Sequence, residues 1–121
     1  MRYVVAKEGK DTWGDGQFPT AGCFELSDHK IPVSHNFYAP TVGWAKDFRR
    51  DVIDNEIVIS CEIDFLDKEL EMEIKDLDTS ISVTIVKSSR YNDALFVIKA
   101  IIREIMFLPK TPYFPLEKKD A

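Results

Sequence analysis

The fold turns on the reading of SSRYNDALFVIKAIIREIMFLP, Ser88–Pro109. Tyr91, Ala94, Leu95, Ile98, Ile101, Ile102, Ile105 and Met106 recur at helical spacing, with Asn92, Lys99 and Arg103 on the opposite side, and that period predicts an amphipathic helix. Ser88 or Ser89 suits its N-cap, Asp93 its first turn and Arg103 its last, and Pro109 stops it. A helix this apolar needs a cover. Phe96 shares the polar stripe with Lys99 and Arg103; it marks either a contact surface or an isolated exposed aromatic.

The segments before it supply the cover. IVISCEIDF alternates strictly, with Ile57, Ile59, Cys61, Ile63 and Phe65 on one face and Val58, Ser60, Glu62 and Asp64 on the other, the pattern of a half-buried strand. ELEMEIK continues the period of two, with Leu70, Met72 and Ile74 opposing Glu69, Glu71, Glu73 and Lys75, and ISVTIV adds a third run. Upstream, TVGWAKDF sets Val42, Trp44 and Phe48 on one face, and Asp54-Asn55 is a turn signal before the Ile57 strand. RYVVA and GCFEL read as further short strands. The sequence therefore predicts an α+β domain over residues 1–108: an antiparallel meander or partial β-barrel of about six strands, packed on one C-terminal amphipathic helix. Residues 109–121, with Pro109, Pro112 and Pro115 around Tyr113, Phe114 and Leu116, read as an extended arm, either a frayed tail or a docking segment for a neighbouring subunit.

Composition narrows the function. A chain of 121 residues, 45% hydrophobic and 31% charged, forms one globular domain. No apolar run reaches the roughly 18 residues of a membrane span and the N-terminus lacks a signal-peptide pattern, so a host cytoplasm or virion location is expected, without secretion. Cys23 and Cys61 lack metal-ligand spacing and are expected to be buried thiols; no metal or cofactor is implied. Of the net charge of −5, ten acids lie between Asp54 and Asp78 against Lys68 and Lys75, leaving the remainder positive. Nucleic acid is not an expected partner for that acidic section. The Glu69, Glu71 and Glu73 face is either a solvated surface or the contact for a basic partner.

In the first half, Asp11, Gly14-Asp15, Pro19, Gly22 and Phe24 of DTWGDGQFPTAGCF, then IPVSHNF, then Val42-Gly43 of TVGWAKDF resemble the opening of tailed-phage prohead maturation proteases, over about residues 1 to 65. That family is β-barrel serine proteases with a histidine at a strand end. The resemblance places His35 at the histidine position and makes Ser80 of TSISV the nucleophile candidate, with Ser82 second. Val83 stands where a glycine belongs beside the nucleophile, and no third residue matches as the group orienting His35. Three functions follow as expectations. The leading one is a non-enzymatic interaction protein, a phage-type virion or assembly component and a homo-oligomer. The others are a minimal prohead-protease-like serine protease and a small acidic inhibitor or immunity-type protein.

Overall fold

The structure is a computed structural model that describes residues 2–9, 17–35, 40–74 and 76–108. In chain order it contains β1 (Arg2–Glu8), β2 (Gln17–Pro19), β3 (Phe24–Glu25), β4 (Ile31–Ser34), β5 (Thr41–Ile53), β6 (Glu56–Phe65), α1 (Lys68–Ile74), β7 (Asp78–Tyr91) and β8 (Ala94–Leu108). Strand takes 72% of these residues and helix 7%, so the protein is mainly β, and the expected α+β fold with a C-terminal helix is overturned. The 109–121 arm, with Tyr113, Phe114 and Leu116, lies outside the described residues, as does the Asp11–Asp15 loop.

The expected helix is strand β8, and its spacing has a mechanical cause. β8 pairs antiparallel with β7, and the register slips three times: Ile98 and Arg103 are extra residues on β8, and Val86 is an extra residue on β7. The core-facing residues of β8 are Val97, Ala100, Ile102, Ile105 and Phe107. Each three-residue step in that series spans one of the two bulges on β8, and each two-residue step spans none. A β-bulge shifts the phase of a strand's faces by one residue, so two bulges five residues apart turn a period of two into a helix-like one. The chain reverses at Asn92-Asp93, both with positive φ (49° and 67°), as a two-residue type I′ hairpin turn requires.

The helix lies instead in ELEMEIK, expected as a strand. Asp67 Oδ1 accepts the backbone N–H of Glu69 at 2.8 Å, the N-cap geometry, and Glu69 and Glu71 fill the first turn, where acids are favoured. Leu70 and Ile74, four residues apart, share a helix face, and Ile74 is buried while Met72 is exposed. The cap and the helix propensity of glutamate win over the alternation.

The sheet curls into a half-barrel ordered β1-β6-β5-β4-β8, with β7 on the far edge of β8. β2, β3 and β4 run in succession alongside β8, all parallel to it. β7 and β1 approach at the open seam, where the Thr79 hydroxyl donates to the Val4 carbonyl at 3.0 Å. Ile59, Cys61 and Ile63 of β6 face the core with Val33, Ala45, Ile102 and Phe107, as their alternation predicted. On β5, Asp47 takes a positive φ of 54° at a register slip between Lys46 and Arg49. Ala45 and Phe48 are therefore buried and Trp44 faces out, not inward with Phe48 as expected. Gly43 admits no side chain: a Cβ there would sit 2.7 Å from the Asp64 carbonyl oxygen.

Candidate functional site

Glu8 is the most constrained charge of the body. Its side chain is fully buried, and its carboxylate accepts from Arg50 Nε at 2.8 Å and from a second guanidinium nitrogen at 2.9 Å. The N–H groups of Gly22 and Phe24 donate to it at 2.9 Å each, and Gly22 reaches this geometry with a φ of +81°. Burial alone pushes the Glu8 pKa up, but Arg50 and the two N–H groups outweigh it and hold it below the ordinary value. Arg50 also donates to the Phe24 carbonyl at 2.6 Å. With its acceptors saturated, Glu8 fastens β1, β5 and the loop before β3 together rather than exchanging protons. Beside it the buried Cys23 thiol is pushed up to about 12, by burial first and Glu8 second, and burial does the same to Cys61. Neither is poised as a thiolate nucleophile.

The residues expected to form a serine-histidine pair lie on opposite sides of β8. Ser34 pairs with Met106 and Met106 with Ser80, so β8 runs between the strand that ends beside His35 and the strand that carries Ser80 and Ser82. Two strand spacings put the backbones roughly 10 Å apart. His35 is exposed just past β4, and the two serines are half-buried on β7.

Between β3 and β4 the chain leaves the edge of β8, and the cleft so formed, about 340 Å³, is lined by Glu25, Asp28, His29, Ile31, Ile101 and Arg103. Asp28 and His29 lie 3.3 Å apart and almost fully in solvent. The cleft carries charges of both signs and selects neither.

The distal half of the β7–β8 hairpin is different. From Thr84 to Asp93 ten consecutive residues are exposed, and β7 pairs only with β8, leaving its outer edge free among the described residues. Val86, Tyr91 and Ile98 are 52%, 68% and 41% exposed. Lys87 and Arg90 stand on the same arm, with no ion pair among the described residues. Near its turn Phe96, paired with Ser89, stacks on Phe18, ring centroids 5.3 Å apart, so it is half-buried against β2 and not a free contact. Lys87 and Arg90 were not singled out in the sequence, and Tyr91, expected on the apolar face of a helix, is exposed instead. The signal was present in Asn92-Asp93, a hairpin dipeptide between two apolar runs.

The acidic trio is split by α1. Glu69 and Glu73 are exposed, whereas Glu71 is half-buried and accepts the Tyr3 hydroxyl proton at 3.4 Å. Burial first, and Glu71 second, raise the Tyr3 pKa. Among the described residues no helix is long and apolar enough to cross a membrane, and no group of three or more histidine, cysteine or acidic side chains is placed to hold a metal. In comparisons with protein-family models, curated proteins and solved structures, nothing matches this chain.

Proposed function

We propose that the chain is a non-enzymatic interaction protein that associates with copies of itself, as a phage-type virion or assembly component. The observation that carries this reading is the β7–β8 arm, which exposes Val86, Tyr91 and Ile98 beside Lys87 and Arg90, neither of them ion-paired among the described residues. An unpaired strand edge offers its N–H and C=O groups to another chain, and apolar side chains exposed beside cations give such a partner further contacts. The phage-type setting comes from the resemblance of the first half to prohead proteases. The protease alternative gains less support, since β8 intervenes between His35 and the serines. The acidic-inhibitor alternative would use Glu69 and Glu73 but leaves the basic arm without a role.

The test is the molar mass of the full-length chain in solution, by size-exclusion chromatography with light scattering over a concentration series. A mass that rises with concentration to a multiple of 13.9 kDa is expected; a strict monomer at the highest concentration overturns the reading.

A further inference from the structure

We infer that copies of this chain join head to tail, the basic β7–β8 arm of one lying against the outer face of α1 in the next. This rests on the self-association proposed above and adds the two surfaces that make it. The first surface is the arm, where Lys87 and Arg90 follow Val86, Tyr91 closes the strand, and all four are exposed. Lys99, on the neighbouring strand, reaches Glu25 only at 3.9 Å. The second is the side of α1 turned away from the core. Glu69, Met72 and Glu73 fall at i, i+3 and i+4 and so share one face; all three are exposed, Met72 by 67%, and Leu66, just before the helix, by 65%. Asp76 and Asp78 extend the negative charge. The arm is net positive although exposed Asp93 stands at its turn, and the α1 surface is net negative although exposed Lys68 stands beside Met72, so the two surfaces pair exposed apolar residues with opposite net charge.

The fold keeps these two surfaces from meeting within one chain. α1 leads into the start of β7 at Asp78, and the arm is the other end of that strand, at Tyr91. At the rise of an extended strand they stand up to about 40 Å apart. A contact between two different patches is heterologous, and it closes into a ring or continues as a filament according to the rotation between copies. The obvious rival, edge-to-edge pairing of β7 with β7 of a second copy, would bring Lys87 and Arg90 against their own like charges, which is unfavourable.

Two charge-reversed full-length variants test this, K87E/R90E on the arm and E69K/E73K on α1. All four positions are exposed, so K87E/R90E should keep the wild-type circular dichroism and melting curve, and E69K/E73K, which loses an acid from the first turn of α1, should melt slightly lower while still folded; the neutral pair K87Q/R90Q and E69Q/E73Q stands in for a variant that does not fold. By light scattering the wild type should associate more weakly as salt rises, and each variant alone should associate at least about tenfold more weakly than wild type. Mixed in equal amounts they should associate again, because the intact arm of one meets the intact α1 of the other. Folded variants that associate like the wild type, or a mixture that stays monomeric, overturn the two surfaces while self-association stands. A wild type that is itself monomeric removes both.

Discussion

Two hairpins of this protein are turned by the same pair of residues in opposite order. Asp54-Asn55 joins β5 to β6 with φ of 52° and 67°, and Asn92-Asp93 joins β7 to β8 with 49° and 67°. The turns are alike, yet the hairpins do different work. Four residues before the first turn, Arg50 is clamped to the buried Glu8, and β1 stays beside β6 as far as Ile57, while β4 flanks β5 only at Thr41–Ala45. Two residues before the second turn, Arg90 has no ion pair, and the distal half of β7 pairs only with β8 among the described residues, while β2 flanks β8 at Leu95–Val97. A type I′ turn dictates only that two strands reverse; what lies beside them decides whether the hairpin becomes body or arm.

The strongest way to break this comparison is at β8, which is core along most of its length although its partner β7 is exposed near the turn. Ile102 is 1% exposed, while Ile98, at a bulge, is 41% exposed. Ile102→Ala should cost about 3–4 kcal/mol in urea denaturation and Ile98→Ala less than about 1. A helix over 94–108 would have buried both, so a comparable loss at the two positions would contradict the bulged strand.

Next in size is the clamp that the arm lacks. Glu8→Gln removes a buried charge but leaves Arg50 with a side chain 31% exposed, which can turn to water, so the loss should be about 2–3 kcal/mol, below that of a fully buried broken pair. Arg90→Gln should change monomer stability by less than about 0.5 kcal/mol. The difference has a pH signature. Because the folded pKa of Glu8 lies below its ordinary 4.5, its stabilisation is complete above that value and is lost as pH falls from 4.5 through the folded pKa. Acid titration of stability should therefore be shallower in Glu8→Gln than in the wild type, and unchanged in Arg90→Gln. Equal acid limbs in Glu8→Gln and wild type would mean that the Glu8 clamp is not formed in solution.

What the sequence disclosed follows the same divide. Where strands keep their period, as in Ile59, Cys61 and Ile63, the alternation named the inward residues correctly, and Asp54-Asn55 was legible as a turn. Where bulges intervene, at Ile98 and Arg103, the apolar spacing imitates a helix, and the Asn92-Asp93 turn beside it was read as the helix start. α1 failed the other way, because seven residues of alternating Glu and apolar side chains fit both periods and only the Asp67 cap separates them. Glu8 escaped notice since its partners lie 14 to 42 residues away, a distance no local pattern spans. The basic arm was illegible for a related reason: its exposure follows from the unpaired edge of β7, a property of topology.

The smallest and most discriminating effect is expected at the two turns themselves. Asn55 and Asp93 both occupy the second turn position at positive φ, which glycine adopts without the penalty an L side chain carries. Asn55→Gly and Asp93→Gly should each favour their turn by roughly 0.5 kcal/mol, part of the gain being offset by the freer unfolded chain. The readouts should differ. The β5–β6 turn closes a hairpin fastened to the body by the Arg50–Glu8 clamp and by β1 beside β6, so its gain should raise the midpoint of global unfolding. The tip of the β7–β8 arm is free to open locally without the body; there the gain should slow amide hydrogen exchange in Val86–Arg90, with a smaller shift of the global midpoint. Equal midpoint shifts for the two variants, with no local change in exchange, would show that the arm folds and unfolds as one unit with the rest of the sheet, and the distinction between body and arm would then be one of shape alone.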